Sequence, residues 1–338
     1  MGPMNNTRIR LADVAAEAGV SISTVSRVFS NPELLAPGTV RHVRDVAARL
    51  RFTPNLTARA LIKGTSPYLG IVVPDISNPY MTTLLKAAQA RCRGRDVVVF
   101  VADTDDTVDT ERRACEQFAH QTRGILLCAP RMSVSHIRDL AETVPLMLVN
   151  RPVDGLPCVY TDSVASIVEL VDRLCDLGHE RIAYLPGPPG SWADKVRARA
   201  VADRVRRRGA TFVKLAPTAA RHVDGVAAAG EAADQGVTAV VAFDDVLAAG
   251  LVEGYRRLRM SVPGDVSVVG HDDVLAGLVQ PGLTTVDGHA ARVGQLAVDR
   301  LLAEADPGAP PDTEHVAVAT EVVWRSTVDA PIRTLTKP

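Results

Sequence analysis

The sequence predicts an α/β protein with a small helical head at its N-terminus and a larger body of parallel sheets wound with helices. Within the first 52 residues, apolar side chains recur at helical spacing and a glycine interrupts the pattern. After residue 66, short β-branched runs alternate with amphipathic stretches. The 338 residues exceed what one ordinary core needs, which favours a small module plus one or two larger lobes.

The head begins with two short helices joined by a glycine turn. Apolar residues in Ile9–Ala18 share one helical face, and Gly19 can adopt the positive φ that ends a helix. Ser21 is a good N-cap for a second helix, Ile22 to about Phe29, and a third is predicted from Pro37 to about Arg51. A second helix that is small and polar at its start can enter the major groove of DNA, so this is a helix-turn-helix.

A fourth helical stretch follows over Phe52–Leu61 and is ended by Gly64. Its two turns are marginal as an isolated helix in water. We therefore expect it to fold only against a partner, such as its symmetry mate on DNA. Leu61 would then insert between base steps of the minor groove and kink the duplex.

The charge of the chain is divided unevenly between head and body. Residues 1–64 carry nine Lys and Arg against four Asp and Glu, whereas the remainder carries 29 against 35. A basic head on an acidic body fits a polyanion-binding module. The sequence has no run of eighteen apolar residues and no apolar signal region, which predicts a cytoplasmic protein without a membrane partner. The five cysteines form no Cys-x-x-Cys pair, which favours buried thiols over a metal site or disulfides.

The body is predicted as two sets of alternating strands and helices. In the first set the strands are Leu69–Val73, Val97–Ala102, Gly124–Cys128 and Leu146–Val149, and the helices are Thr82–Cys92, Glu111–His120 and Val134–Thr143. In the second set the strands are Arg181–Leu185, Ala239–Ala242 and Ser267–Gly270, and the helices are Val164–Leu177, Asp194–Arg208 and Val246–Leu258. A helix Ala290–Ala303 and a closing strand His315–Val323 complete the pattern, which indicates doubly wound parallel sheets.

Motifs of enzyme chemistry are missing from the body. No Gly-x-Gly-x-x-Gly follows a strand, and no nucleophile elbow, Ser/His/Asp grouping or His-Glu-x-x-His is present. We therefore predict no catalytic residues, no metal and no cofactor, and expect a protein that is not an enzyme.

Several of these segments strongly resemble the lactose/galactose-repressor family of bacterial transcription regulators. The resemblance rests on residues 11–28 (LADVAAEAGVSISTVSRV), on residues 52–61, and on body landmarks at 70–80, 150–152, 177–183, 266–273 and 281–286. It extends to about residue 326 and implies a two-lobed body similar to periplasmic sugar-binding proteins (type I). The family also implies three crossings between the lobes, near residues 161–163, 287–290 and 319–323.

The resemblance divides the chain into four parts. The helix-turn-helix domain spans residues 8–52, and a hinge helix and linker span 53–65. The N-terminal ligand-binding lobe comprises 66–161 and 290–320, and the C-terminal lobe comprises 162–289 and 321–328.

The family assigns DNA contacts to the second helix and the hinge. Residues matching Ile22 and Ser23 read bases, those matching Thr24, Ser26 and Arg27 contact bases or phosphates, and the one matching Leu61 is the minor-groove wedge. The full predicted set is Ser21, Ile22, Ser23, Thr24, Ser26, Arg27, Asn55, Ala58 and Leu61. One recognition helix reads few base pairs, so we expect a homodimer on a pseudo-palindromic double-stranded operator. Helix Thr82–Cys92 is the expected isologous contact, and the segment after Ser326 lacks the leucine heptads of tetrameric members.

A small-molecule effector is expected between the lobes, where the carboxyl ends of strands face each other. Carboxylates and amides each engage two neighbouring hydroxyls, and aromatic rings cover an apolar sugar or base face. The predicted effector is therefore a sugar, a sugar derivative or a nucleoside. The predicted contacts are Asp75, Asn78, Tyr80, Asn150, Trp192, Lys195, Asp244 and Asp272.

The sequence departs from the family at some of these positions. The family has Arg where this chain has Lys195, Asp where it has Asn150, and Asn where it has Asp244, and its Gly-aromatic pair is replaced by Ala200-Val201. Lys lacks the planar two-pronged donor of Arg. An unusual effector and a loss of effector response both stay open, as do inducer and corepressor behaviour. Asp244 and Asp272 suggest the hypothesis of a donor-rich or cationic ligand.

Two other classes of protein compete with a ligand-responsive repressor. A solute-binding protein would need export and no basic head. A sugar- or nucleoside-processing enzyme would need a catalytic motif, and the sequence contains none of those named above.

Overall fold

The chain forms two compact units, residues 1–67 and 68–338. The computed structural model describes residues 9–52, 66–305, 308 and 312–332. The predicted hinge helix and linker, with Asn55, Ala58 and Leu61, lie outside the described residues. Among the helices of the described ranges, none combines the length and apolar character that crossing a bilayer requires.

The head is a three-helix unit built as the sequence pattern predicts. Its helices are α1 (Leu11–Ala18), α2 (Ile22–Ser30) and α3 (Pro37–Arg49). Gly19 ends α1 at φ +64°, a left-handed conformation that glycine adopts at little cost. A 3₁₀ turn, Pro32–Leu34, joins α2 to α3. The buried side chains include Val14, Val25, Val28, Val43 and Val46, which pack the three helices into one core.

The body follows in the order strand, helix, strand. Its strands are β1 (Tyr68–Val73), β2 (Val98–Asp103), β3 (Ile125–Cys128), β4 (Leu146–Val149), β5 (Cys158–Asp162), β6 (Arg181–Leu185), β7 (Thr211–Lys214), β8 (Ala239–Ala242), β9 (Ser267–Val269), β10 (Thr285–Asp287), β11 (His315–Ala319) and β12 (Glu321–Val323). Its helices are α4 (Pro79–Arg93), α5 (Val108–Ala119), α6 (Val134–Ala141), α7 (Val164–Asp176), α8 (Trp192–Arg207), α9 (His222–Asp234), α10 (Asp245–Arg257) and α11 (Ala290–Glu304).

These elements build two parallel sheets, one in each lobe. In the described residues the N-terminal lobe has the strand order β11-β5-β4-β3-β1-β2, and the C-terminal lobe has the order β7-β6-β8-β9. A separate antiparallel pair joins β10 to β12. Apolar clusters cover both faces of each sheet, as a doubly wound parallel sheet requires. The predicted fold class is confirmed.

The predicted closing strand His315–Val323 is wrong, because it consists of two strands in different sheets. β11 pairs with β5 in the N-terminal lobe, and β12 pairs with β10. Thr320 separates them, and its hydroxyl donates to the carbonyl oxygen of Asp162 at 3.2 Å, on the first crossing between the lobes. The chain therefore changes lobe where the residue pattern alone reads as one continuous strand.

Helix α4 contains the predicted helix Thr82–Cys92, which was expected to form the dimer contact. Its apolar side packs inside its own lobe. Leu84, Leu85 and Ala88 are buried in the same core as residues of α11. Gly294 of α11 lies against Leu84, and a side chain there would collide with the backbone of α4. The exposed side of α4 is polar or small and includes Thr82 and Lys86. The apolarity of this helix thus reflects the packing inside the lobe.

Candidate functional site

The start of α2 is fixed by a serine cap. The Ser21 hydroxyl accepts a hydrogen bond from the backbone N–H of Thr24 at 3.0 Å. Its oxygen is also 2.7 Å from the hydroxyl of Ser23 and 2.8 Å from that of Thr24. Ser21 therefore orients the first turn of the helix, the part that enters a groove in helix-turn-helix proteins.

The outer face of α2 presents three exposed residues. Ile22 is 55% exposed, and Ser23 and Arg27 are also exposed. Thr24 and Ser26 are half-buried, while Val25 and Val28 on the opposite face are buried. An apolar side chain, a hydroxyl and a guanidinium on one rigid helix provide contacts for a thymine methyl group, a base edge and a phosphate.

In the body, side chains from both lobes line a narrow cleft at the carboxyl ends of the sheets. Five of the predicted effector residues, Asp75, Asn78, Tyr80, Asn150 and Asp272, line it. The space between the lining side chains is about 60 Å³. Small-molecule sites span roughly 300–1,000 Å³, so the cleft is closed and a ligand requires the lobes or their side chains to move.

One end of the cleft is organised by a directional chain of hydrogen bonds. Asn150 donates from Nδ2 to the Tyr80 hydroxyl at 2.9 Å. The Thr161 hydroxyl donates to the carbonyl oxygen of Gly288 at 3.2 Å, so it accepts from Tyr80 at 3.0 Å. Burial is the main cause that raises the pKa of Tyr80 to about 12, which keeps its hydroxyl neutral. These hydrogen bonds connect the wall of the cleft to two of the segments where the polypeptide crosses between the lobes.

Asp244 is satisfied inside the protein and keeps its proton at neutral pH. Its Oδ1 accepts from the backbone N–H of Leu247 at 2.9 Å, and its Oδ2 accepts from Nδ2 of Asn78 at 3.2 Å. Burial, followed by repulsion from Asp272, raises the pKa of Asp244 to about 8. The carboxyl group therefore offers no free negative charge to a ligand at pH 7.

Asp272 is likewise paired. Its Oδ1 is 2.7 Å from Nδ1 of His271 and 3.5 Å from Nη2 of Arg197. Burial alone would raise the pKa of Asp272, but these two partners hold it below its usual value. Because Asp244 keeps its proton and Asp272 already faces Arg197, these two carboxyl groups give little support for a cationic ligand.

Arg197, which the sequence analysis missed, replaces Lys195 as the basic residue of the C-terminal wall. Lys195 is exposed and does not line the cleft, whereas the Arg197 side chain is 8% exposed and does. Arg197 donates to the carbonyl oxygen of Phe243 at 2.6 Å and lies over its ring, 4.9 Å from the centroid. Two residues along a helix point some 200° apart, so Lys195 and Arg197 cannot share a face. Arg197 lies four residues before Val201 and eight before Val205, on the buried face of α8, and this spacing is the signal that could have identified it.

Trp192 also lies outside the lining. Its ring packs edge-on against Tyr160 with the centroids 5.8 Å apart. Trp192 begins α8, and Ser191 and Ala193 on either side of it line the cleft instead. The indole that was expected to cover a face of the ligand therefore packs against β5 of the N-terminal lobe instead.

A further basic residue that the sequence analysis missed enters the cleft from the N-terminal lobe. Arg131 follows β3 and forms an ion pair with Asp106, with Nη2 of the arginine 2.8 Å from Oδ1 of the aspartate. Both residues line the cleft. The sequence offered no signal for this pair, because the two residues lie in separate loops that only the fold brings together.

One group of described residues has the chemistry of metal ligands. Asp287, His289 and Glu321 lie at two lobe crossings with ligand atoms within 4.8 Å of one another. Nδ1 of His289 is 2.9 Å from Oδ2 of Asp287, which explains the contact as an ion pair or hydrogen bond. The group lies on the partly exposed crossings rather than among the cleft-lining residues.

Comparison with known proteins matches both units of the chain. Residues 10–55 match the model of bacterial regulatory proteins of the lacI family, and residues 171–328 match that of the periplasmic binding protein-like domain. The chain is 30% identical to the transcriptional regulator DegA of Bacillus subtilis over 285 residues, covering 81% of this chain and 85% of DegA. It is 29% identical to the regulator GalS of Salmonella typhimurium over 307 residues, covering 87% of this chain and 89% of GalS.

Among solved structures, the fold is similar to that of a lac repressor dimer bound to operator and the anti-inducer ONPF. The TM-score is 0.85 at 23% identity, and the match covers 96% of this chain and all of that one. The head, the two-lobed body and the extent of the similarity to DegA lead to one conclusion. The chain belongs to the lacI family of bacterial regulatory proteins.

Proposed function

We propose that this chain is a transcriptional repressor that binds a pseudo-palindromic operator as a homodimer and responds to a small molecule held in its cleft. The observation that carries the proposal is the rigid α2 face, where Ile22, Ser23 and Arg27 are exposed over a packed helical core. Family membership supports regulation rather than catalysis. We expect the protein in the cytoplasm, where the DNA that it would regulate lies.

For DNA binding, we assign base contacts to the first turn of α2. Ile22 suits the methyl group of a thymine, Ser23 suits either a donor or an acceptor on a base edge, and Arg27 suits a phosphate or a guanine. Ser21, Thr24 and Ser26 support this face through the cap and through phosphate contacts. Asn55, Ala58 and Leu61 keep the hinge role that the family resemblance gives them.

For dimerisation, a surface of the N-terminal lobe is suited to a second copy of the chain. β2 is the edge strand of its sheet, and Val98 and Val101 on it are 41% and 36% exposed. Exposed apolar edge strands are sites of association unless they are covered. The polar outer side of α4 lies beside this edge, since α4 connects β1 to β2. A dimer through this surface would supply the two recognition helices that a pseudo-palindrome needs.

For the effector, the cleft supports a sugar, a sugar derivative or a nucleoside. Asp75, Asn78, Tyr80, Asn150 and Asp272 supply oxygen and amide groups for hydroxyls. A ligand that binds one arrangement of the lobes more tightly than another shifts the equilibrium between them and so changes operator affinity.

The test of DNA binding is a fluorescence-anisotropy titration of the full chain with DNA from upstream of its own gene. Wild type is expected to bind with an affinity that falls steeply as salt increases. Arg27→Ala and Ser23→Ala are expected to weaken binding at least tenfold. Arg257→Ala removes an exposed arginine of the body that pairs with Glu253, and serves as the matched control. Equal binding by all four proteins, or no salt dependence, would reject the proposed function.

A further inference from the structure

The Arg131 guanidinium enters the cleft with part of its hydrogen-bonding capacity unused. Its side chain is only 7% exposed. Nη1 donates to the carbonyl oxygen of Ala129 at 2.6 Å, and Nη2 faces Asp106. Nε is buried and has no hydrogen-bond partner among the described residues. Buried donors are nearly always paired, so this N–H is available to an acceptor that a ligand brings into the cleft.

The loop that carries Arg131 is fixed from both sides. The buried Glu111 carboxylate accepts from the backbone N–H of Arg131 at 2.8 Å and from that of Met132 at 2.9 Å. Nη1 of Arg151 donates to the carbonyl oxygens of Pro130 at 2.6 Å and Met132 at 2.7 Å. Since both the donors and the acceptors of this backbone are engaged, the guanidinium is presented from a rigid base, as binding groups require.

The free Nε and its neighbour Nη2 form one edge of the guanidinium. That edge matches the two oxygens of a carboxylate or a phosphate group, which bind it through parallel hydrogen bonds. Asp106 uses only the Nη2 half, and its contacting Oδ1 makes no hydrogen bond of good geometry. The Asp106 side chain is 31% exposed, so it can turn to solvent when another anion arrives. Asp106 thus occupies, incompletely, the place of a ligand oxyanion.

The remaining cleft groups suit a ligand that also carries hydroxyls. Arg197, Asp272 and Asn78 lie among the lining side chains, and the negative charge of Asp272 is offset by Arg197, whose Nη2 is 3.5 Å from its Oδ1. We propose that the effector is a polyhydroxylated anion, a sugar bearing a carboxylate or phosphate group, and that Arg131 binds its anionic group in place of Asp106. This proposal rests on the proposed function, since it names the ligand of the same cleft.

The test is titration calorimetry and thermal shift on the full chain with matched pairs of ligands. Gluconate, glucuronate and galacturonate represent the carboxylates, glucose 6-phosphate represents the phosphates, and glucose and galactose are the neutral parents. At least one of the anionic sugars is expected to bind ten times more tightly than its neutral parent. Whether that sugar is a carboxylate or the phosphate identifies the anionic group of the effector. Preferential binding of the neutral parents, or no binding of any acid at millimolar concentration, overturns the proposal.

Variants of the ion pair sharpen the result. Arg131→Met retains volume and is expected to lose at least tenfold in affinity for the acid, with Arg131→Lys intermediate. Asp106→Asn removes the competing carboxylate, so the acid is expected to bind more tightly and to raise the melting temperature more than in wild type. Arg112→Met, an exposed arginine of α5, is the control and is expected to bind as wild type does.

Two outcomes separate this proposal from the proposed function. Unchanged acid affinity in both Arg131→Met and Asp106→Asn overturns the role of Arg131 but leaves DNA binding and effector response intact. If Arg131→Met fails to fold, the comparison of Asp106→Asn with wild type decides alone, and equal shifts contradict the proposal. Failure of the proposed function would instead appear as an absence of operator binding by the wild-type chain.

Discussion

The side-chain amide of Asn78 donates a hydrogen bond of 3.2 Å to Oδ2 of Asp244 and so joins the two lobes across the cleft. Each residue also caps a helix of its own lobe. Asn78 accepts from the backbone N–H of Tyr80 at the start of α4, and Asp244 accepts from that of Leu247 at the start of α10. Opening the lobes must break the bond between the caps while both helices keep their first turns.

Asp244 predicts a pH dependence of stability. Its pKa is about 8 in the folded chain, whereas an unfolded aspartate has a pKa of about 3.9. Between these values only the folded state holds the proton, so the free energy of unfolding falls as pH rises, by about 1.4 kcal/mol per unit until the folded pKa is passed. We expect the melting temperature to fall between pH 7 and pH 9 in wild type.

The control for this prediction is Asp244→Asn, which cannot titrate. It is expected to lose the bond to Asn78 at every pH, at a cost of about 1 kcal/mol, and to show a flatter profile above pH 7. Asp245, with a pKa raised to about 7, acts in the same direction in both proteins. His271, with a pKa lowered to about 4, is neutral throughout this range. If the melting temperatures of wild type and Asp244→Asn change equally with pH above pH 7, the raised pKa is wrongly assigned to Asp244.

The contact between α9 and α10 predicts opposite effects for two Gly→Ala changes. A Cβ at Gly250 would collide with the backbone carbonyl oxygen of His222, whereas one at Gly230 meets nothing within 4 Å. Gly250→Ala is expected to destabilise the body by about 1–3 kcal/mol through overpacking. Gly230→Ala, inside α9, is expected to stabilise it by about 0.4–1 kcal/mol. Thermal unfolding of both variants measures the difference. Equal melting temperatures would show that α9 and α10 can move apart to accept a methyl group at residue 250.

The Ser21 cap predicts a local loss of stability in the head. Ser21→Ala leaves the Thr24 N–H without its acceptor and is expected to cost about 1 kcal/mol. Ser23→Ala removes only a contact between hydroxyl groups and is expected to stay within about 0.5 kcal/mol of wild type. Hydrogen exchange of the α2 amides measures both. The cap is refuted as the stabilising contact if the two variants exchange at the same rate.

The hydrogen-bond chain through Tyr80 predicts a cost for removing one oxygen atom. Tyr80→Phe leaves Nδ2 of Asn150 without an acceptor in a buried site, which is expected to cost about 1–3 kcal/mol. Tyr160→Phe, at a partly exposed tyrosine on β5, is the matched control and is expected to change stability by less than about 0.5 kcal/mol. Melting temperatures compare the two variants, and an equal or larger drop for Tyr160→Phe would contradict a stabilising hydrogen bond at the Tyr80 hydroxyl.

The sequence predicted those elements whose apolar spacing is strong and local. Strands β4 and β6 begin and end where the pattern places them, and the ends of the head helices differ from the prediction by at most about two residues. The strands are nearly continuous apolar runs, and the helices carry apolar residues at helical spacing. The helix α9 was missed because its buried residues are glycine and alanine, which carry little apolar signal. β7 (TFVK) and β10 (TVD) were missed because they carry only two and one large apolar residues, whereas equally short strands such as β4 (LMLV) are apolar throughout.

The cleft was predicted less completely than the fold. Residues at the ends of strands or the starts of helices, such as Asn78 and Asp272, reach the cleft because the carboxyl edge of a parallel sheet is one place in space. Arg131 and Asp106 meet only through the fold, and Lys195 was preferred to Arg197 because the prediction considered the type of residue and not the face of the helix on which it lies. Local pattern thus identifies the edge of the site, whereas partners distant in sequence require the structure.

The three crossings have a consequence for synthesis of the protein on the ribosome. When residues up to 289 have been made, α11 does not yet cover the apolar side of α4, β11 does not yet pair with β5, and β12 does not yet pair with β10. Both lobes therefore finish folding only after α11, β11 and β12 have emerged, while the head can fold at once. A prematurely terminated product would expose core surface to proteases and aggregation. The order of the strands thus makes a stable two-lobed body depend on translation through β12.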